Sequence, residues 1–383
     1  MIYKFRDIIE EVEERNTDLR YGLDNIVGVT IEKGLIPTIA NLTQTSLDKF
    51  YLVKPGTFVY NPRTHGVRLG MGFNNTTNIY ITSWNNVAFK VSPKAQDIVM
   101  PQYLWLFFCR PIWDRLTNFL AWGSSTIVFA WKDFLDIDID IPSITRQREI
   151  VSQYETLTNR IRLNNQVIQH LEATAQALYR KTFVDNIDKE NLPEGWRMGT
   201  IDNICEVKDG THDSPKPIDV GNPLITSVHL KPWSVSLESA YFISAKDYSK
   251  INERSLVEKG DILMSMIGTI GIVSYVLYEQ VVFAVKNMAI FKTSQNSEYV
   301  EYVLFYLKSN ELKQYIVEST SGSTQGYVTL NTLRCMPIII PDEYIIKEYH
   351  CITKELISHI WNLTKEDLKL TELQSLLLAK MGQ

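Results

Sequence analysis

The chain lacks the cysteine pattern of a disulfide-rich or zinc-binding protein. Its 383 residues contain four cysteines, and no C-x-x-C pair occurs among them. Because Cys109, Cys205, Cys335 and Cys351 are widely separated, we expect reduced, buried thiols and neither disulfides nor a zinc framework. This usage is typical of a cytoplasmic protein.

A hydrophobic run long enough to cross a membrane is also missing. The one long uncharged run, Ile262–Tyr278, is interrupted by the turn Ile267–Gly271 and by hydroxyl side chains. Two buried strands therefore explain it better than a membrane span. The N-terminal sequence MIYKFRDIIEEVEE is charged and acidic, which is not the pattern of a signal peptide. We expect no membrane association.

Positive charge is not in excess. The 39 Lys and Arg residues against 44 Asp and Glu give a formal net charge of −5. A DNA-binding protein usually has a basic footprint, so any such footprint here must be local or must come from a partner. The hydrophobic content of 45% with 22% charged residues is ordinary for a globular protein, and the length predicts two or three domains.

Common catalytic and cofactor-binding motifs are absent. The sequence has no G-x-G-x-x-G after a strand, no P-loop, no H-E-x-x-H, no G-x-S-x-G and no Asn/Asp-Pro-Pro-aromatic tetrapeptide of amino-methyltransferases. His212 and Asp213 could form an acid/base pair, but bonds to local backbone explain a turn of this composition better. A solvated strand face likewise explains four alternating acidic residues better than a metal site does: Asp133, Asp136, Asp138 and Asp140. The sequence thus predicts no catalytic residue, no metal site and no cofactor bound by this chain.

A long helix in mid-chain dominates the pattern. From about Gln147 to Phe183, apolar residues recur in steps of three and four without an interrupting Pro or Gly. This heptad seam needs a partner helix. Its candidate members on the first helix are Ile150, Leu157, Ile161, Asn164, Ile168, Leu171 and Leu178. The polar member, Asn164, either fixes the register of the pair or lies at a gap or partner contact, and the sequence leaves both readings open.

The partner helix is found by an internal repeat. A shift of 199 positions places Gly123-Ser124 on Gly322-Ser323 and Ile141-Pro142 on Ile340-Pro341. The same shift gives a second seam: Leu356, Ile360, Leu363, Leu370 and Leu377. Chance similarity of two amphipathic helices is the alternative, but the matches outside the helices favour a repeat of one unit, a mixed domain followed by a long helix.

The repeat divides the chain into five segments: a first domain at 1–141, a first long helix at 142–184, a linker at 185–195, a second domain at 196–341 and a second long helix at 342–383. Each domain combines short strand-like runs with helices. In the first domain, Gln102–Leu120 is a helix pattern with a break at Pro111, and its many aromatic residues are expected to pack in the core. Val300–Val317 is the corresponding helix of the second domain.

Several motifs in order resemble one protein family. Lys208-Asp-Gly-Thr-His-Asp-Ser-Pro, Gly221-Asn-Pro-Leu-Ile-Thr-Ser, Gly260-Asp-Ile-Leu-Met-Ser and Gly268-Thr-Ile-Gly are similar to a target recognition domain of type I restriction–modification specificity subunits. The lead-in Leu192-Pro-Glu-Gly-Trp and the helix start Arg146-Gln-Arg-Glu-Ile also resemble this family. The resemblance covers nearly the whole chain in the family's order of domain, helix, domain, helix.

The resemblance implies an α+β fold in which two target recognition domains are each followed by a long helix, and the helices pair as an antiparallel coiled coil. It implies a non-catalytic subunit that recognises a bipartite, interrupted site on double-stranded DNA. The implied partners are two modification (methyltransferase) subunits and restriction subunits with translocase and nuclease activity. S-adenosylmethionine, ATP and Mg are expected on those partners, which direct adenine methylation or restriction in the cytoplasm.

Polar loops supply the candidate DNA contacts. In the first domain they are Asn61, Arg63, His65 and Arg68; in the second they are Thr211, His212, Lys216, Thr269, Ser323 and Gln325. Such donors and acceptors can reach base edges or phosphates. An ordinary solvated loop explains each residue equally well. The alternatives for the whole chain are a stand-alone methyltransferase or nuclease with an unrecognised site, or a coiled-coil scaffold.

Overall fold

The structure, a computed structural model, describes residues 1–38, 42, 45–64, 68–123, 127–320 and 327–381, with the side chain of Thr320 left aside. The chain forms two compact units. The first contains Met1–Arg160 and the chain from Leu370 onward, and the second contains Ile161–Lys369. Among the described residues, no helix is both long and apolar enough to cross a membrane.

The first unit is built on a six-stranded antiparallel sheet. Its strands are β1 (Ile2–Lys4), β2 (Ile9–Glu11), β3 (Val27–Thr30), β4 (Gly34–Pro37), β5 (Tyr51–Val53), β6 (Phe58–Tyr60), β7 (Met71–Phe73), β8 (Tyr80–Thr82), β9 (Val87–Val91) and β10 (Asp138–Asp140). The strand order in the sheet is β2-β9-β6-β7-β3-β4. Its helices are α1 (Phe5–Ile8), α2 (Pro101–Phe108), α3 (Pro111–Leu120), α4 (Trp131–Leu135) and the first part of α5 (Ile144–Phe183). β1 pairs with β10, and β5 with β8.

Aromatic rings fill the core of this unit. Phe5 packs against Phe108 and Phe134, with ring centroids 5.7 and 4.8 Å apart. The predicted helix over Gln102–Leu120 is two helices, because Pro111 cannot donate to the preceding turn and instead begins α3. The prediction that its aromatic residues pack in the core holds for Tyr103, Phe107, Phe108 and Trp113 but is wrong for Phe119, which is 84% exposed.

The second unit repeats this plan on a four-stranded sheet. Its strands are β11 (Arg197–Thr200), β12 (Val207–Asp209), β13 (Asn222–Ile225), β14 (Leu230–Lys231), β15 (Ser234–Val235), β16 (Tyr241–Ile243), β17 (Ile262–Ser265), β18 (Val273–Tyr275), β19 (Ala284–Val285), β20 (Met288–Phe291) and β21 (Pro337–Ile340). The strand order in the sheet is β12-β20-β17-β18. Its helices are α6 (Ala245–Ser255), α7 (Val300–Leu307), α8 (Asn310–Thr320), α9 (Leu330–Arg334) and most of α10 (Glu343–Lys380). β11 pairs with β21 as β1 does with β10, which agrees with the internal repeat.

The long helices α5 and α10 contact each other within each unit, and they run antiparallel. In the first unit, Gln374 donates from Nε2 to Thr158 Oγ1 at 2.7 Å. In the second unit, Asn164 donates from Nδ2 to Asp367 Oδ1 at 2.7 Å. Residue numbers on α5 therefore rise as those on α10 fall.

The structure buries the seam positions to different degrees. Ile150, Asn164, Ile168 and Ile360 are buried. The others are half-buried: Leu157, Ile161, Leu171, Leu178, Leu356, Leu363, Leu370 and Leu377. Tyr179 and Phe183 are buried as well, because the end of α5 packs against the second domain's core beside Tyr302 and Tyr349.

Asn164 is buried opposite two carboxylates. Its Nδ2 atom lies 3.0 Å from Glu366 Oε2 and 2.7 Å from Asp367 Oδ1. An amide N–H that donates to a carboxylate forms a charge-assisted bond, which is stronger than a neutral one. Since only one alignment of α5 and α10 brings these groups together, the geometry favours a register role for Asn164.

A buried glutamine joins the first domain to the start of α5. Met100 N donates to Gln147 Oε1 at 2.8 Å, and Gln147 Nε2 donates to the carbonyl oxygens of Ile98 and Pro142 at 2.8 and 2.9 Å. The repeat-equivalent residue of α10 is Ile346, which is fully buried in the second unit's core. The same junction is thus polar in one unit and apolar in the other.

We expect Gln147→Ala to lower the free energy of unfolding by about 2–4 kcal/mol, because it leaves buried backbone groups unpaired and opens a cavity. Denaturant unfolding measures this loss. Gln153→Ala is the matched control, since Gln153 is exposed on the same helix, and it should change stability by less than about 0.5 kcal/mol. Equal effects of the two substitutions would contradict the role of Gln147.

The cysteine expectation was partly wrong. All four thiols are free, as predicted, but only Cys205 is buried; Cys109 is half-buried, and Cys335 and Cys351 are exposed. Burial raises the pKa of the Cys205 thiol to about 12, so this thiol is inert at neutral pH.

Candidate nucleic-acid interface

The predicted loop of the first domain connects β6 to β7 at one edge of the sheet. Asn61 N donates to Gly70 O at 3.0 Å and closes the loop, and Arg63 N donates to Asn61 Oδ1 at 3.0 Å. The side chains of Arg63 and Arg68 are exposed and form no bond within the described part of the chain. His65 lies outside the described residues. The loop therefore presents two unneutralised guanidinium groups to solvent.

Both ends of this loop are fixed. At one end, the buried Lys33 ammonium lies 2.7 Å from Leu69 O and forms an ion pair with Asp114 of α3. At the other end, Thr64 N donates to Ile127 O at 2.9 Å and Phe129 N donates to Pro62 O at 2.8 Å. The described ends of the loop are thus tied to α3 and to the segment that precedes α4.

The basic residues of this region are concentrated in sequence. No Asp or Glu occurs between Lys49 and Gln96, although the chain as a whole is acidic. Lys54 and Lys90 are paired with Glu14 and Glu10, whereas Arg63 and Arg68 are not paired among the residues described. A local basic stretch is therefore present in the first domain despite the net charge of −5, and the lack of acidic residues between Lys49 and Gln96 was a signal for it in the sequence.

The second domain's first predicted loop follows β12. Thr211 is buried, and its Oγ1 accepts a hydrogen bond from Asp213 N at 3.1 Å. The sequence suggested that His212 pairs with Asp213 or bonds to local backbone, but it does neither. Its Nδ1 lies 2.9 Å from Asn287 Oδ1 and its Nε2 3.0 Å from Asp209 Oδ2.

Asp209 is three residues from His212, but the other partner, Asn287, lies 75 positions further along the chain, so the loop sequence did not indicate it. Asn287 has a φ of 55°, in the left-handed region where Asn is favoured over most residues. Lys286 donates from Nζ to Ser214 Oγ, and Arg254 of α6 forms an ion pair with Asp209 at 3.4 Å. The side chain of Lys216 is exposed with no bond among the described residues. The ring of His212 is thus held, and Lys216 is free to meet an anion.

Thr269 lies in the tight turn between β17 and β18. Ser265 Oγ donates to Thr269 O at 2.6 Å, and Ile272 N donates to Ser265 Oγ at 2.8 Å. This bonding uses the Thr269 backbone and leaves its exposed side chain available. Ile267 forms a bridge to Tyr327. Ser323 and Gln325 lie outside the described residues.

Sheet topology brings some of these residues together. β12 and β17 end, and β20 begins, at one edge of the four-stranded sheet, because both β12 and β17 are antiparallel to β20. Thr211, His212 and Thr269 therefore emerge from the same edge. The Arg63–Val128 bridge in the first unit matches the Ile267–Tyr327 bridge in the second. The Asn61–Gly70 loop thus corresponds to the β17–β18 turn, and not to the loop after β12.

Two polar clusters fix the second domain to the long helices. Glu172 of α5 accepts from Lys308 at 2.6 Å and from the Trp233 indole at 3.3 Å, and the Lys308 ammonium lies 4.0 Å from the Trp233 ring centroid. Burial lowers the pKa of Lys308, and Glu172 offsets part of this shift. On α10, His350 bonds to the buried Glu301 at 2.6 Å. Burial raises the pKa of Glu301, which the contact with His350 opposes.

A metal centre needs several side-chain ligands close together. Over the described ranges, no group of three or more His, Cys, Asp or Glu side chains is arranged to hold an ion. The alternating acidic residues are used in other ways: Asp136 pairs with Lys4 and Arg6, Asp138 with Lys4, and Asp140 with the N-terminal ammonium. Asp138 and Asp140 form the exposed face of β10, as predicted. The prediction is wrong for Asp133, which lies on α4, and for Asp136, which caps the end of α4.

Two mixed α/β domains, each followed by a long helix that pairs with the other, define a class of architecture that a known structure shares. The crystal structure of a type I restriction–modification system S subunit from M. genitalium matches 99% of this chain and 94% of that chain, with a TM-score of 0.55 and 14% sequence identity. This likeness concerns the fold.

Sequence comparisons give the family. The model of the type I restriction modification DNA specificity domain matches twice, at residues 27–173 and 193–372. The MjaIX specificity subunit of Methanocaldococcus jannaschii is 25% identical over 75% of this chain and 69% of its own length. The HindI specificity subunit of Haemophilus influenzae is 26% identical over 35% of this chain and 29% of its own length. The chain belongs to the type I restriction–modification DNA specificity family.

Proposed function

We propose that this specificity subunit has no catalytic site of its own and reads a bipartite, interrupted site on double-stranded DNA. Its two readers are the domains at 1–141 and 196–341, and the long helices at 142–184 and 342–383 carry them. The observation that supports this most directly is the recurrence of one sheet edge in both domains, each with exposed polar side chains on a fixed loop. Each edge can therefore read one half-site.

The proposed partners supply the chemistry. Two modification subunits would bind S-adenosylmethionine and methylate adenine, and restriction subunits would use ATP and Mg for translocation and cleavage, in the cytoplasm. The net charge of −5 supports this division of labour, because sequence-independent affinity comes mainly from neutralised phosphates. The isolated chain should thus bind DNA weakly.

A genome-wide map of methylated adenines tests the proposal, in a host with and without this chain and with the modification partner present in both. We expect a two-part motif that is lost when the chain is removed. In parallel, the purified chain alone should neither methylate nor cleave DNA. Activity of the chain alone would favour a stand-alone enzyme, and an unchanged map would favour a scaffold; either result would overturn the proposal.

A further inference from the structure

Helix α3 presents an unusual exposed face in the first domain. Ile112, Arg115, Asn118 and Phe119 recur at helical spacing and are all exposed, while Trp113 on the opposite face is buried. Phe119 is 84% exposed, and just beyond the helix Trp122 is 73% exposed. Two solvated aromatic side chains in the same short stretch as an exposed Arg and Asn are not explained by folding of this domain, because they bury little apolar surface.

This face is fixed beside the loop Asn61–Gly70. The Lys33–Asp114 ion pair connects the first turn of α3 to Leu69 O. On the other side, Val128 bridges both Arg63 and Trp122, with Trp122 N donating to Val128 O at 3.1 Å and Val128 N donating to Trp122 O at 3.0 Å. α3 and the described ends of the loop therefore belong to one rigid surface.

The charge of this surface is positive. The guanidinium groups of Arg63, Arg68 and Arg115 form no hydrogen bond or ion pair with any described residue. Of the nearby carboxylates, Asp114 is neutralised by Lys33, whereas Asp133 accepts from the neutral Trp122 indole at 3.4 Å and keeps its charge, so the three guanidinium groups remain in excess. Such a surface is complementary to the DNA backbone and not to a basic protein.

We propose that the exposed face of α3 is a second DNA-contacting element of the first domain, acting beside the loop; this inference rests on the proposed function. The Arg115 guanidinium can form two hydrogen bonds to a guanine edge, and the Asn118 amide can form two to an adenine edge. Either group can instead anchor a phosphate. Phe119 and Trp122 supply apolar contacts to sugars and bases. The half-site of the first domain is then read by a helix and a loop together.

The equivalent helix of the second domain lacks this chemistry. At the 199 shift, Arg115 corresponds to Gln314 and Phe119 to Glu318 of α8. Gln314 Nε2 donates to Glu318 Oε1 at 2.8 Å, and Glu311 pairs with Lys189. Neither Gln314 nor Glu318 offers a cation to a phosphate, so α8 is not expected to bind DNA through this face. The two domains therefore read their half-sites with different elements.

The test uses the assembled complex and the adenine map. Arg115→Ala combined with Asn118→Ala should relax the first-domain half-site or lower its methylation about tenfold, as expected for loss of one or two good contacts. The second half-site should keep its sequence. The matched control is Gln314→Ala with Glu318→Ala, which should leave both half-sites unchanged. Phe119→Ala alone should lower occupancy without changing the motif.

Salt titration of DNA binding gives a second readout. Loss of a phosphate contact through Arg115→Ala should reduce the salt slope by about one, whereas loss of a base contact should change the motif at constant slope. Either result supports DNA contact. Unchanged motif, occupancy and salt slope would overturn the inference. Loss of a modification subunit when the variant complex is purified would also overturn it, because it would identify this face of α3 as a protein-docking face. If the wild-type chain directs no motif, the proposed function fails instead.

Discussion

Replacing Asn164 by Asp should destabilise the helix pair by about 3 kcal/mol at neutral pH. A loss of this size is found when a buried charge is left without a compensating partner. The wild-type amide donates to Glu366 and Asp367. A carboxylate in its place has no proton to donate and puts a third negative charge at the same point on the seam. Denaturant unfolding at pH 7 measures the loss.

The loss should depend on pH. Protonation removes the repulsion among the three carboxyl groups and restores a donor, so the deficit should shrink as the pH is lowered from 7 toward 4. Asn159→Asp is the matched control, because Asn159 is an exposed residue on the same helix, and it should show neither the deficit nor the pH dependence. Asn164→Leu should also destabilise the protein, since it removes both bonds. An unchanged stability of Asn164→Asp would contradict the register role.

Replacing both Arg63 and Arg68 by Ala should relax or abolish one half-site in the methylation map and leave the other half-site unchanged. A good base contact contributes about 1–3 kcal/mol of discrimination, so the two together can alter methylation by several orders of magnitude. His212→Ala or Lys216→Ala should act only on the opposite half-site. The map of methylated adenines resolves both effects.

Lys54→Ala with Lys90→Ala is the control for charge. It removes the same number of positive charges from the same domain, but Glu14 and Glu10 already neutralise these lysines. We expect the motif to stay unchanged. If substitutions in one domain altered both half-sites, the two domains would not read independently, and the proposed function would need to be revised.

The architecture could be predicted from the sequence because the patterns that indicate it are local. The heptad seam from Ile150 to Leu178 and its copy from Leu356 to Leu377 are spacing patterns, and both predict helices without knowledge of distant contacts. Pro111 likewise predicted a break between α2 and α3. The match of Gly123-Ser124 to Gly322-Ser323 predicted the repeat that the structure and the family model both contain.

The candidate site was accessible only in part. Loop positions such as Asn61–Gly70 follow from turn residues between strands, but the sequence did not indicate which loops meet at one edge of a sheet. That depends on which strands are neighbours in the sheet. The prediction that Phe119 of α3 packs in the core was wrong. An aromatic residue in a helix pattern is more often core than surface, and the sequence does not state which face of the helix the sheet covers.

The sequence by itself determined the repeat, the two long helices and the exposed polar loops, since each depends on hydrogen bonding and apolar periodicity within a few residues. The tertiary structure decided which polar groups meet. Asn164 lies against Glu366 and Asp367 because α10 returns antiparallel along α5, and His212 lies between Asp209 and Asn287 because β12 and β20 are adjacent strands. Contacts between residues far apart in sequence are set by how the chain folds back on itself, and no local pattern in the sequence encodes them.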